Sequence, residues 1–169
     1  MLFRSQQKRK SFNSKDYVDI ISEIVNSQPI ISIEDPFAED DWSSWNRFME
    51  KAPANLQVIG DDLFTTNAAR LARGISDKSA NAILIKPNQN GLVTFTESVL
   101  KMAESEGFRT IVSARSGETE DSWLADIATG WRAGQIKVGS THGGERTAKW
   151  NRLLELEATE KTTFARPFN

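Results

Sequence analysis

The chain has 169 residues, of which 38% are hydrophobic and 26% charged, with a formal net charge of −2. That length suits one hydrophobic core rather than two ordinary domains, and the near-neutral charge argues against a general affinity for nucleic acid or anionic membranes. No apolar run approaches the roughly 18 residues of a membrane-spanning helix, and the absence of cysteine excludes a disulfide framework and fits a cytoplasmic protein.

The first thirteen residues are predicted to form a basic leader that belongs to no folded unit. No hydrophobic stretch follows their basic residues, so they lack the pattern of a secretory signal. A solvated, frayed leader is favoured over a nucleic-acid patch. The folded domain is predicted over residues 14–160, with a tail over 161–169. The basic residues of the leader are Arg4, Lys8, Arg9 and Lys10.

Short apolar runs rich in β-branched residues recur along the chain, and each is predicted to be a buried strand. Stretches with helical periodicity alternate with them at a spacing of about 25 residues, which is typical of parallel strands joined by helices. The predicted strands are residues 30–33, 56–59, 82–85, 109–112 and 135–138.

Helix starts are predicted from capping residues. Ser14 is a candidate N-cap for a first helix, and Thr94 with Glu97 forms a capping box for a later one. The apolar face of the first helix is predicted to consist of Tyr17, Ile20, Ile21, Ile24 and Val25. Further helices are predicted around residues 42–49, 123–131 and 145–154.

Charged or polar residues follow the first four predicted strands, and Lys137 lies within the fifth. This pattern favours a barrel over an open sheet. Such residues converge only if the sheet curves round on itself, and the carboxyl rim of a (β/α) barrel is where active sites lie. We therefore predict an α/β fold, a partial TIM-type (β/α) barrel of about five parallel strands alternating with helices. The rim residues are Glu34, Asp35, Asp61, Asp62, Lys86, Arg115, Ser116 and Lys137.

The chemistry of these side chains indicates a metal and an anion bound side by side. Glu34 and Asp61 are candidate ligands for Mg²⁺, which prefers carboxylate oxygens. Lys86 ends an apolar strand and is a candidate base. Residues 113–119 offer a glycine turn and the guanidinium of Arg115 as a phosphate cradle. The set suggests proton abstraction next to a carboxylate, with the metal stabilising the resulting charge.

Five segments in this order resemble the enolase (phosphopyruvate hydratase) family from about residue 17 to residue 157. The resemblance implies that Glu34 and Asp61 hold Mg²⁺, that Lys86 removes a proton from 2-phosphoglycerate, and that phosphoenolpyruvate is the product. It also implies that Arg115 and Ser116 bind the phosphate, while Lys137 and Glu34 contact the rest of the substrate. The segments are 33–42 (IEDPFAEDDW), 60–63 (GDDL), 85–89 (IKPNQ), 113–121 (SARSGETED) and 134–139 (GQIKVG), followed by the closing helix 145–154 (ERTAKWNRLL).

The sequence departs from the family pattern in three respects. The family's N-terminal domain is absent, and so is the first part of its barrel, which would supply a third metal carboxylate and the general acid. Ala114 stands where the family usually has histidine, and the only histidine, His142, is predicted to be an exposed loop residue. Five strands cannot close an eight-stranded barrel, so we expect a homo-oligomer or a complementing first half as partner.

Three functions are left open by the sequence. The first is an enolase-like lyase that is incomplete as an isolated chain. The second is a catalytically inactive enolase-like fragment that serves as a binding or interaction module. The third is another metal-dependent lyase on the same barrel, which the segment SARSGETED argues against.

Overall fold

The computed structural model describes residues 2–5 and 10–168 of the chain. The strands are β1 (Leu2–Ser5), β2 (Lys10–Asn13), β3 (Ser32–Glu34), β4 (Gln57–Gly60), β5 (Ala82–Ile85), β6 (Arg109–Ser113) and β7 (Gly134–Lys137). The helices are α1 (Ser14–Ser27), α2 (Trp42–Met49), α3 (Ala68–Asp77), α4 (Pro87–Asn90), α5 (Val93–Ser105), α6 (Trp123–Gly130) and α7 (Gly144–Thr159).

Two sheets are present in the described part of the chain. β1 and β2 pair antiparallel within the segment predicted as a leader, with Leu2 opposite Asn13. The other sheet has the order β3-β4-β5-β6-β7, and all its strands are parallel. Sequential order with helical crossovers is the topology of a (β/α) barrel, so the predicted partial barrel is confirmed.

The parallel sheet curls, and a side-chain pair shows it directly. Gln57 on β4 and Gln135 on β7 exchange two hydrogen bonds, of 3.1 and 2.9 Å. Two strands lie between them, which in a flat sheet would separate them by about 14 Å, at about 4.8 Å per strand. The inner faces of β4 and β7 therefore face each other across a half-barrel.

The alternation of side chains along each strand assigns residues to the two faces of this sheet. Outward residues such as Val58, Ile83 and Val112 join the main core, with Trp45 and Phe48 of α2. Inward residues form a smaller apolar cluster, made of Ile59, Ala82, Leu84 and Ile111. At the carboxyl ends of the strands, the same alternation places Glu34, Asp61, Lys86 and Lys137 at inward-facing positions.

Two predicted helix starts are wrong. The N-cap of α1 is Asn13 and not Ser14, because the Asn13 side chain accepts the amide of Asp16 at 2.9 Å. Helix α5 begins at Val93 without a side-chain cap, and the Glu97 of the predicted capping box instead pairs with Lys101 at 2.6 Å.

The apolar face of α1 is also shifted from its predicted position. Ile24 is 42% exposed, whereas Val18 is fully buried. The helix is therefore rotated towards Val18, Ser22 and Val25, which are its buried residues.

Helix α3 was not predicted, and its sequence explains why. Its buried positions are Leu71 and Gly74, and its only large apolar residues are Leu71 and Ile75, so the sequence shows little apolar bulk there. Asn67 caps the helix by accepting the amides of Ala69 and Arg70 at 2.9 and 3.1 Å.

Over residues 2–5 and 10–168, every helix falls short of the length and apolar character that a membrane crossing requires.

Candidate active site at the carboxyl ends of the strands

A cavity of about 440 Å³ lies at the carboxyl ends of β4 to β7. It is lined by five of the six residues that the sequence marked as a site, namely Asp61, Lys86, Arg115, Ser116 and Lys137. The sixth, Glu34, lies beside it and accepts a hydrogen bond from Lys137. The curl of the sheet thus brings the predicted residues to one place, and their roles stay a prediction.

The most buried charges of the cavity are Lys86 and Asp61. The Nζ atom of Lys86 lies 2.5 Å from Oδ2 of Asp61, and the two side chains are 5% and 10% exposed. The other carboxylate oxygen, Oδ1 of Asp61, is buried and has no hydrogen-bond partner among the described residues. Buried oxygens are rarely left unpaired, so this atom is available to a cation in the cavity.

Asp35 sets the position of Asp61. Its carboxylate accepts the amides of Asp61 and Asp62, each at 2.9 Å. Burial raises the pKa of Asp35, and the two amide bonds oppose that rise. Carboxylate oxygens of these three residues lie within 4.8 Å of one another, close enough to hold a metal ion. Because both Asp35 oxygens already accept amides, we assign Asp35 to orienting the loop that carries Asp61.

Two further ion pairs close the rim. Lys137 at the end of β7 lies 2.5 Å from Glu34 at the end of β3, and Arg115 lies 2.9 Å from Asp62. These side chains are about one-third to one-half exposed. Each cation of the predicted site is therefore paired with a carboxylate of the same rim.

The loop between β6 and α6 carries the predicted phosphate cradle. The Arg115 amide donates to Oδ1 of Asn88 at 3.1 Å, and Gly117 has a φ of 88°, a left-handed conformation that favours glycine. Ser113 donates to the carbonyl of Lys137 at 2.9 Å and ties β6 to β7. Ala114 lines the cavity where the resemblance implies histidine, and His142 is exposed.

Sequence reasoning gave no role to two residues of the closing helix. Arg146 lines the cavity, and its Nε lies 3.7 Å from the carboxylate of its neighbour Glu145. Lys149 is buried and contacts the phosphate-cradle loop. The only signal for them was the match of residues 145–154 to the family's closing helix, which carries no information about contacts.

Comparison with known proteins agrees with this geometry. Residues 3–166 match the family model described as the enolase C-terminal TIM barrel domain, a span that includes most of the predicted leader. The chain is 46% identical over 155 residues to the enolase of Sulfurimonas denitrificans, covering 92% of this chain and 37% of that protein. It is 51% identical over 147 residues to the enolase of Ureaplasma parvum, covering 87% of this chain and 33% of that protein.

The chain thus spans about a third of the length of the curated relatives it matches. The family model nevertheless covers nearly all of it, and the strand order is that of a (β/α) barrel. The chain belongs to the enolase family, and its five-stranded half-barrel is a partial form of that family's C-terminal TIM barrel domain.

Proposed function

We propose that this chain carries the base, the anion-binding residues and two metal ligands of a phosphopyruvate hydratase site. The reaction is the reversible dehydration of 2-phosphoglycerate to phosphoenolpyruvate in glycolysis. The observation that carries the proposal is the convergence of the buried Lys86–Asp61 pair with Arg115 and Lys137 round one cavity. A cytoplasmic location accompanies this proposal and rests on the cysteine-free composition.

Glu34 and Asp61 are the proposed Mg²⁺ ligands. Carboxylate oxygens are the donors that Mg²⁺ prefers, and the unpartnered Oδ1 of Asp61 supports the assignment. When bound, the ion would stabilise the negative charge that develops on the substrate carboxylate as the proton leaves.

The remaining roles, proton transfer and substrate binding, are assigned to side chains of this chain. Lys86, buried at the floor of the cavity, accepts the proton from the carbon next to the carboxylate. Arg115 and Ser116 bind the phosphate, because a guanidinium fork and a hydroxyl match its oxygens. Lys137 neutralises the carboxylate end of the substrate. A cation on Glu34 and Asp61 would displace Lys137 and Lys86 from these carboxylates. Lys137 would then be free to meet the substrate, and Lys86 would act as the base in its neutral form.

We infer that further strands complete the site. Within the described residues, β3 and β7 are each paired along one edge only, and unpaired parallel edges invite pairing. A second copy of the chain, or a polypeptide carrying the first half of the barrel, would cover them. The first half would also supply the third metal carboxylate and the general acid implied by the family resemblance.

A second candidate function is a module that binds a phosphorylated acid without turning it over. Ala114 supports it, because a methyl group at the cavity wall cannot replace the hydrogen bonds of a histidine.

Calorimetric titration of the chain with 2-phosphoglycerate tests the binding that both candidates share. We expect binding that requires Mg²⁺ and is lost in excess chelator. Arg115→Gln is expected to weaken it by about 10–100-fold, because a charge-assisted hydrogen bond contributes about 1.5–3 kcal/mol.

Arg166→Gln, in the exposed tail, is the matched control and is expected to bind like the parent chain. Binding that is unchanged by excess chelator and by Arg115→Gln would contradict the proposed site.

A further inference from the structure

We propose that Lys149 is a positioning residue that holds the anion loop, residues 114–121, against the first turns of α7. The proposal rests on the proposed function, because it assigns to this loop the binding of the substrate phosphate. Lys149 does not line the 440 Å³ cavity; it lines a neighbouring cavity of about 210 Å³. We therefore assign Lys149 no contact with a bound anion and propose that it acts by holding the loop.

The buried ammonium of Lys149 donates hydrogen bonds to two backbone carbonyls and forms an ion pair with Glu118. The residue is 3% exposed, so its charge is almost fully removed from water, which is costly without partners. Its ammonium has three N–H groups and lies near three acceptors. These are a carboxylate oxygen of Glu118 at 2.7 Å, the carbonyl of Thr119 at 2.7 Å and the carbonyl of Glu145 at 2.6 Å.

These contacts join two elements that are distant in the chain. Glu118 and Thr119 belong to the anion loop, whereas Glu145 lies in the first turn of α7. Lys149 therefore connects the loop to the helix through both a side chain and a backbone carbonyl.

A second contact supports the same docking. A methyl group placed at Gly144 would lie 2.1 Å from Oε1 of Glu120, so the Glu120 carboxylate rests against the start of α7. Negative charge is favoured at this end of a helix, because the unpaired amides and the helix dipole are positive there.

The loop is thus held at both ends. At one end, Asn88 accepts the Arg115 amide and Asp62 accepts the Arg115 guanidinium. At the other end, Lys149 holds Glu118 and Thr119. Only Ser116 and Gly117 lie between the two anchors, so release of the second anchor frees the residues that face the cavity.

The variant Lys149→Met tests this role, because methionine retains most of the volume and loses the three donors. Two measurements on the full chain are made side by side. One is the rate of trypsin cleavage after Arg115, identified by the mass of the fragment, which reports local opening of the loop. The other is the affinity for 2-phosphoglycerate with Mg²⁺. We expect cleavage about tenfold faster and affinity about tenfold lower, which is the low end of what removal of a supporting contact does at a ligand site.

Lys101→Met is the matched control, because Lys101 is an exposed residue of α5 paired with Glu97, and neither rate nor affinity should change. If Lys149→Met does not fold, Lys149→Gln keeps a polar donor, removes the ion pair with Glu118 and should change both quantities in the same direction.

Unchanged cleavage after Arg115 would overturn the proposal, and so would faster cleavage with unchanged affinity. If the parent chain binds no 2-phosphoglycerate, the proposed function fails. In that case the cleavage rate alone decides whether Lys149 holds the loop.

Discussion

At the scale of single residues, the three ion pairs of the rim differ in how deeply they are buried. Arg115–Asp62 and Lys137–Glu34 are about one-third to one-half exposed, and exposed pairs contribute about 0–1 kcal/mol. Lys86–Asp61 is almost completely removed from solvent. Loss of one partner there leaves an uncompensated buried charge, so this pair contributes most of the three to stability.

Lys86→Met is expected to lower the free energy of unfolding by about 3–5 kcal/mol, because Asp61 then remains buried and charged without its partner. Lys86→Met combined with Asp61→Asn should lose less than the sum of the two single changes. Urea denaturation measures all three variants. Lys137→Met serves as the comparison and should cost less than about 1 kcal/mol. If Lys86→Met and Lys137→Met lower the free energy of unfolding equally, burial does not set the strength of the Lys86–Asp61 pair.

The partners of the rim residues could not be predicted from the sequence, although the residues themselves could. Glu34, Asp61 and Lys86 were marked by their position just after predicted strands, and Lys137 by its position within the last one. Which cation meets which carboxylate depends on the curl of the sheet: Lys137 reaches Glu34 across 103 positions of sequence. Lys149 was missed for the same reason, since in sequence a buried lysine on an amphipathic helix resembles an ordinary surface residue.

At the scale of elements, strands were predictable because continuous β-branched runs identify them, and each observed strand of the parallel sheet overlaps its predicted range. Helices with strong apolar faces were predicted too. Helix α3 was not, because Leu71 and Ile75 are its only large apolar residues, and close packing against Phe64 contributes to its position. The ring of Phe64, fully buried, lies against Gly60 and Gly74.

Gly74→Ala tests that packing. The change in stability that we expect is opposite in sign to the change that helix propensity alone predicts. Alanine favours a helix over glycine by about 1 kcal/mol. However, a methyl group at position 74 would lie 2.2 Å from the Phe64 ring, and overpacking costs about 1–3 kcal/mol. We expect lower stability in thermal unfolding.

Gly130→Ala, at the end of α6, is the matched control. Nothing lies within 4 Å of the added methyl group, so this variant should be unchanged or slightly more stable. A stabilised Gly74→Ala would mean that Phe64 moves aside easily and does not position α3.

At the scale of the whole molecule, the parallel sheet is a curled half-barrel with a site on its carboxyl rim. The fold class followed from alternating strands and helices, and the choice of a barrel over an open sheet followed from the charged strand ends. The degree of curl could not be derived, because it depends on inward contacts such as that between Gln57 and Gln135. The sequence predicts that both glutamines lie in strands, but it does not predict that their side chains are in contact.

The proposed function requires that this half of a barrel supply the base and the anion-binding side of a hydratase. The most direct measurement is Mg²⁺-dependent conversion of 2-phosphoglycerate to phosphoenolpyruvate, followed by ultraviolet absorbance. The purified chain is assayed alone and mixed with a polypeptide carrying the remainder of the Ureaplasma parvum relative. Lys86→Ala, assayed below its own melting temperature, is the control against a contaminating host enzyme.

We predict turnover in the mixture, none above the control for the chain alone, and none in the mixture that contains Lys86→Ala. Equal turnover in the mixtures made with the parent chain and with folded Lys86→Ala would contradict the account, because Lys86 would then not be the base.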